Sequence, residues 1–238
     1  MGRDRARAGR SRCVPVRGGR NVSASLDFDL SECAARWEWS REFPAGVELF
    51  KQGSCAREVY LVERGLAKLI CVTSEGQEII VGLRSPGWIL GANSAILGKP
   101  YPVGAVTLTR SRLRCIYAEQ FIRLVRSDLE FSWYLQILQN QEMTDHLAHI
   151  VGQRCLTARQ RFEQLLLRLV ASIHHGRARQ AVRFRLPMKH WEMAQLIGIT
   201  PEHLCRLERK MEQEGLLQRE NGWLVISDLD RLYDQQEF

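Results

Sequence analysis

The segment from residue 188 to 211 constrains the fold most, because its pattern predicts two short helices joined by a sharp turn. Gly198 can adopt the positive φ that such a turn needs. Thr200 is a good N-cap, and Pro201 suits the first helical position, where a missing N–H costs nothing. Ala194 is small enough to let a second helix cross closely. We therefore predict a helix-turn-helix here.

A β-hairpin is predicted directly after the second helix. Asn221-Gly222 lies between two apolar runs within residues 216–226, and this dipeptide is a strong signal for a two-residue turn. A hairpin in this position makes the motif a winged helix-turn-helix. Motifs of this kind place their second helix in the major groove of double-stranded DNA.

The exposed face of the second helix has the chemistry of base reading. Arginine can donate two hydrogen bonds to guanine, and glutamate can accept one from cytosine N4. The predicted base-reading residues are Glu202, Cys205 and Arg206. The predicted contacts to the DNA backbone are Thr200, His203, Arg209, Lys189 and Arg219. The alternative is that Glu202 and Arg206, four positions apart, form only a surface ion pair.

Arginine is concentrated in two stretches of a chain whose net charge is +7. Residues 1–25 are rich in Arg, Gly and Ser and poor in apolar residues, so we predict a disordered basic tail, with a start codon assigned too early as the alternative. The second stretch contains Arg154, Arg159, Arg161, Arg168, Arg177, Arg179, Arg183 and Arg185. Beside a DNA-reading motif it suits phosphate contact with counterion release, and a solvated basic surface is the alternative.

Residues 43–117 have the pattern of an antiparallel β domain. Short runs rich in Val, Ile and Leu are separated by glycine-containing turns, which predicts a sandwich or jelly roll. The runs are Val59–Val62, Ala67–Val72, Ile79–Leu83 and Val103–Leu108.

Residues 119–154 change to a helical period. The stripe of this helix, apolar except at Asn140, comprises Trp133, Ile137, Asn140, Met143, Leu147 and Ile150. A small jelly roll cannot cover so long a helix, so we expect the stripe to pair with a second copy as a coiled coil. Packing of the helix wholly on its own domain is the alternative.

We therefore predict an α+β chain with an N-terminal antiparallel β jelly roll, a long dimerisation helix and a C-terminal winged helix-turn-helix. The predicted division is a tail at 1–25, a sensor domain at 26–118, the dimerisation helix at 119–155 and the DNA-binding domain at 156–238.

Over about residues 43–227 the chain resembles the Crp–Fnr family of bacterial regulators. The matching stretches are Pro44–Gly46, Gln52-Gly53, Val59–Val62, Gly65, Ser85–Gly91 and Ile199–Arg206. The resemblance implies a dimeric transcription regulator that binds a palindromic operator and senses a signal at the jelly roll and long helix. Glu202 and Arg206 fall on the family's two principal base-reading positions, while Pro201 stands where a third reader, an arginine, is common.

The expected effector pocket departs from the family's cyclic-nucleotide pattern. Gly91 is followed by Ala92 rather than by Glu, and the place of the phosphate-binding Arg–Ser pair falls near Val103. A phosphodiester needs a cation or concentrated donors, so we predict that cyclic nucleotides do not bind. The candidate pocket residues are Gly91, Asn93, Lys99, Val103 and His146.

Composition argues against metal, cluster and enzyme chemistry. The seven cysteines are scattered without a C-x-x-C pair, which argues against a disulfide framework, a local zinc site and an Fnr-type cluster. We expect no cofactor, with haem at His146 or His149 as an alternative. All six histidines follow residue 145, outside the jelly roll, which disfavours a cupin-type enzyme. A winged-helix scaffold that binds protein, with a degenerate ligand domain, stays open.

Partners and location follow from the same patterns. No apolar run is long enough to span a membrane, and no secretory signal follows the basic tail, so we expect a cytoplasmic protein without a membrane partner. Activation would require a surface for RNA polymerase, which the sequence does not mark.

Overall fold

The computed structural model describes residues 36–174 and 181–234. The predicted tail at 1–25 lies outside these ranges, and so do Arg177 and Arg179 of the basic stretch.

The N-terminal domain is the predicted antiparallel jelly roll. Two four-stranded sheets face each other, one ordered β1-β8-β3-β6 and the other β2-β7-β4-β5. Their strands are β1 (Trp39–Phe43), β2 (Glu48–Phe50), β3 (Glu58–Arg64), β4 (Ala67–Val72), β5 (Glu78–Arg84), β6 (Ile89–Leu90), β7 (Gly104–Thr107) and β8 (Ser111–Tyr117).

Strand β3 is buried on both faces, which explains its nearly continuous apolar run. Tyr60 and Val62 point between the two sheets, whereas Val59 and Leu61 point to the opposite side, toward the helices. Those helices are α1 (Ala92–Leu97), α2 (Ala118–Ser127) and α3 (Leu129–Cys155).

The helix predicted over residues 119–155 as one element is two helices, and this part of the prediction is wrong. The break falls at Asp128, which has an extended conformation and whose carboxylate accepts a hydrogen bond of 2.9 Å from the Phe131 N–H. Aspartate favours such caps over a helix interior. The break also brings the rings of Phe121 and Phe131 together, edge to face, at 5.8 Å.

Only the first half of α3 is covered by its own domain. Phe131, Tyr134, Leu135 and Leu138 pack under the sheet. In contrast, Trp133, Met143, Leu147 and Ile150 of the predicted stripe are each more than half exposed. The predicted stripe therefore forms a solvent-facing apolar surface on this chain.

The C-terminal domain combines four helices with a three-stranded sheet ordered β10-β11-β9. Its elements are α4 (Ala158–His174), β9 (Val182–Arg185), α5 (His190–Ile197), α6 (Pro201–Gln213), β10 (Leu217–Glu220), β11 (Trp223–Ile226) and α7 (Leu229–Asp234). The hairpin turn has positive φ at both Asn221 and Gly222, 48° and 82°, as predicted for a two-residue turn.

Helix α5 attaches this domain to the jelly roll. The Gln195 carboxamide accepts from the Ile80 N–H at 2.9 Å and donates to the Glu78 carbonyl at 3.0 Å, so it pairs with the edge strand β5 much as another strand would. Beside it, the buried Glu192 carboxylate lies 2.5 Å from Lys68 Nζ of β4. The C-terminal domain is thus bonded to the sheet by two side chains of one helix.

Candidate nucleic-acid interface

The turn between α5 and α6 has the geometry predicted for a helix-turn-helix. Gly198 ends α5 with φ of 68°, and the Thr200 hydroxyl accepts from the His203 N–H at 3.2 Å to cap α6. A Cβ on Gly198 would lie 2.7 Å from the Gln153 Oε1 of α3, so the end of the long helix also presses on the turn. Leu204, on the inner side of α6, is fully buried.

Arg161 holds this turn in place from below. Its Nε donates to the Ile197 carbonyl at 2.7 Å and its Nη1 donates to the Leu156 carbonyl at 2.7 Å. One guanidinium therefore joins the C-terminal ends of α3 and α5. The sequence placed Arg161 in a stretch suited to phosphate contact, and the structure gives it an internal role instead.

Arg159 of the same stretch also points inward. It bonds Glu163 at 2.8 Å and Glu214 at 2.6 Å. Burial raises the pKa of Glu163, and the guanidinium acts in the opposite direction. Arg154 and Arg168, by contrast, are exposed, so the basic stretch divides into structural and solvent-facing arginines.

The reading face of α6 is open to solvent. Glu202, Cys205 and Arg206 are all exposed along its first turns. The pKa of Glu202 is lowered, first by its own backbone N–H and then by the Thr200 hydroxyl, so the carboxylate stays an ionised acceptor. In the described part of the chain no ion pair joins Glu202 to Arg206, so neither group is occupied by the other.

The residues predicted to contact the DNA backbone fall into two groups. Thr200, His203, Arg209 and Lys189 are exposed around the reading face. Arg219 differs, because its Nη2 lies 2.5 Å from Oε1 of the buried Glu208, whose other oxygen is 3.1 Å from His190 Nε2. Glu208 thereby connects the recognition helix to both the wing and the start of α5.

Sequence reasoning placed Arg183 and Arg185 in the basic stretch but missed strand β9, which carries both. The guanidinium groups of Arg183 and Arg185 lie over the Trp223 ring, 4.9 and 5.1 Å from its centroid. The alternation of apolar and basic residues in Val182–Arg185 is the strand signal that could have revealed it. It also missed that Glu208 and His190 support the wing, and no local pattern marks that contact.

The candidate effector pocket is a cavity of about 650 Å³ between the jelly roll and α3. Gly91, Asn93, Val103 and His146 line it, as predicted. Lys99 does not line it and is exposed, so that part of the prediction is wrong. The reason is the left-handed Gly98, φ 62°, which ends α1 and turns the chain away before Lys99.

Comparison with known families identifies both halves of the chain. Residues 40–128 match the model of the cyclic nucleotide-binding domain, and residues 160–235 match that of the Crp-like helix-turn-helix domain. This chain is a Crp–Fnr family transcription regulator. The family consists of regulators rather than enzymes, and its helix-turn-helix binds DNA.

Individual relatives agree with the family models. The transcriptional activator protein FnrA of Stutzerimonas stutzeri is 28% identical over 188 residues, covering 79% of this chain and 76% of that protein. The cyclic AMP receptor protein of Thermus thermophilus is 24% identical over 188 residues, covering 79% and 83%. The solved structure of FixK2 from Bradyrhizobium japonicum has a TM-score of 0.68 at 20% identity, covering 82% and 96%, and shows the same fold.

No helix in the described ranges combines the length and apolar character that crossing a membrane requires.

Proposed function

We propose that this regulator acts as a homodimer that reads a palindromic operator with Glu202 and Arg206, and that a signal at the cavity beside α3 controls it. The observation that supports this best is the exposure of Glu202, Cys205 and Arg206 on a helix whose other face is fully packed. A reading face that is exposed, with no ion pair between Glu202 and Arg206 in the described part of the chain, suits base contact, with arginine reading guanine and glutamate reading cytosine.

The stripe of α3 supports the homodimer. Family members are typically dimeric, and large exposed apolar surfaces mark interaction sites. Pairing of two α3 helices would cover Met143, Leu147 and Ile150, which are 63%, 56% and 57% exposed in the single chain. The two recognition helices would then contact half-sites about 34 Å apart, one turn of DNA.

The contacts of strand β5 support control of the helix-turn-helix by a signal that binds at the cavity. Val81 and Arg84 of this strand line the cavity, and the backbone of the same strand at Ile80 and Glu78 bonds Gln195 of α5. A signal that favours one position of β5 would therefore favour one position of the helix-turn-helix, which is a population shift between two arrangements.

The test is selection of binding duplexes from a random pool, followed by fluorescence anisotropy on the selected duplex and a scrambled one. We expect enrichment of a two-fold sequence and a steep fall in affinity with salt. Glu202→Ala and Arg206→Ala should each weaken binding to the selected duplex by about 1–3 kcal/mol and should reduce the preference for it over the scrambled duplex. The exposed Glu75→Ala and Arg126→Ala are matched controls that should change neither value.

Failure to enrich any sequence would favour the alternative, a winged-helix scaffold that binds protein. Micromolar binding of cyclic AMP or cyclic GMP by calorimetry would contradict the predicted loss of nucleotide recognition, and a Soret band in natively purified protein would contradict the absence of haem.

A further inference from the structure

The cavity beside α3 has the chemistry of one class of ligand. Resting on its proposed role as the signal site, we propose that it binds an uncharged, largely apolar molecule that carries a single hydroxyl or carbonyl group. Aromatic and aliphatic side chains form most of its walls, with Phe50 stacked on Tyr101 at 3.9 Å on one side and Leu135 and Leu138 of α3 on the other. Such walls favour apolar ligands.

The charges inside the cavity are neutralised within the protein. Arg84, whose side chain is only 8% exposed, forms an ion pair with Glu142 of α3. Its Nη1 donates to the Leu83 carbonyl at 3.0 Å, and its guanidinium lies 4.9 Å from the Trp88 ring centroid. An anionic ligand would have to displace Glu142 to reach this cation, and Lys99, which could have offered another, lies outside the cavity.

Two amide side chains that line the cavity, one of them on the exposed Asn93, offer a polar anchor. The Gln139 Nε2 of α3 donates to the Asn93 Oδ1 of α1 at 3.1 Å. Within the described residues, the Asn93 Nδ2 and the Gln139 Oε1 have no protein hydrogen-bond partner, which leaves one donor and one acceptor on this amide pair. That arrangement suits one hydroxyl or one carbonyl, and an amide pair adds no net charge.

The mouth of the cavity is apolar as well. Val81, Ile96, Leu97 and Met143 all line it and are 43%, 44%, 64% and 63% exposed. An apolar ligand would cover part of this surface. Met143 also belongs to the stripe proposed for dimerisation, so the second copy would lie beside the same mouth and would sense whether the cavity is filled.

The test uses isothermal titration calorimetry of the full-length protein without DNA. The probes are 1-octanol, octanoate, octylammonium and cyclic AMP, because the first three share a chain and differ in charge. We expect 1-octanol to bind at least about tenfold more tightly than either charged analogue, and cyclic AMP not to bind. Val103→Trp, which fills the cavity, should abolish 1-octanol binding, whereas Val72→Trp at an exposed site on β4 should retain it.

Glu142→Gln tests directly whether Glu142 neutralises the charge of Arg84, and it leaves the volume of the cavity nearly unchanged. Without its counter-ion, Arg84 becomes a free cation, so octanoate should gain at least about tenfold relative to 1-octanol. Circular dichroism confirms that each variant is folded.

Three results would overturn the proposal: tighter binding of octanoate, octylammonium or cyclic AMP by the unmodified protein, 1-octanol binding that survives Val103→Trp, or no binding of any probe. Because these titrations contain no DNA, a protein that binds 1-octanol but selects no duplex would contradict only the proposed regulatory function.

Discussion

At the scale of single residues, Glu208 in the recognition helix is bound from two sides. Arg219 of the wing and His190 of α5 each contact one of its oxygens. Removal of Arg219 would leave a buried carboxylate with one partner fewer. The wing and the recognition helix therefore depend on this contact for their relative position.

We expect Arg219→Gln to lower the free energy of unfolding by about 1–3 kcal/mol, measured by urea denaturation. Arg209→Gln, at an exposed position of α6, should change stability by less than about 0.5 kcal/mol and should instead reduce the salt slope of DNA binding by about 1. Equal effects of the two variants on stability would mean that Arg219 has no positioning role.

Arg159 gives a second residue-scale prediction. Its partner Glu163 has a fully buried side chain, so Arg159→Met would leave a charge in the core without its cation. We expect a loss of about 3–5 kcal/mol in the free energy of unfolding, again by urea denaturation. Arg168→Met, on the exposed side of the same helix, is the control.

The double variant Arg159→Met/Glu163→Gln should recover much of the stability, because it removes the unpaired charge. If Arg159→Met were no worse than Arg168→Met, burial of Glu163 would not be the cause of the dependence.

At the scale of elements, β5 is a strand that contacts both the cavity and α5 of the helix-turn-helix. Its edge bonds Gln195 through two backbone groups, and its last residue, Arg84, faces α3. We expect Arg84→Ala and Gln195→Ala to be coupled in their effects on DNA affinity by about 0.5–2 kcal/mol, measured by anisotropy as a double-mutant cycle.

Asn93→Ala combined with Gln195→Ala is the matched control for this cycle. Asn93 lines the same cavity from α1 rather than from β5, so its effect should simply add to that of Gln195→Ala. If the effects of Arg84→Ala and Gln195→Ala on DNA affinity were also additive, β5 would not be the link between the cavity and the helix-turn-helix.

At the scale of the whole molecule, the apolar stripe of α3 is the surface proposed to join two copies of the chain. We expect Leu147→Glu to convert the dimer to a monomer in sedimentation velocity, because it places a charge in the seam of a coiled coil. The affinity of Leu147→Glu for a duplex with two half-sites should fall. Val72→Glu, at an exposed apolar position on β4, should change neither the oligomeric state nor the DNA affinity. A dimer that persists in Leu147→Glu would place the interface elsewhere.

The features that could be predicted from the amino-acid sequence are local ones. The helix-turn-helix and its wing depend on residues that act on their neighbours: Gly198 ends a helix, Thr200 begins the next, and Asn221-Gly222 closes a hairpin. The apolar runs of the jelly roll and the stripe of α3 are likewise periodic patterns within short segments. Such features can be predicted because the residues that make them lie within a few positions of each other.

Which charged and polar groups contact each other depends on the packing of elements that are distant in sequence. In the sequence, Arg161 looks like the other arginines of a basic stretch suited to phosphate contact. In the fold, its guanidinium donates to the carbonyl of Ile197, which is distant in sequence. The pairing of Arg84 with Glu142 and of Gln195 with β5 joins residues 58 and 115 positions apart. These partners are set by how the domains pack, because a side-chain hydrogen bond requires a distance and an angle that no local pattern encodes.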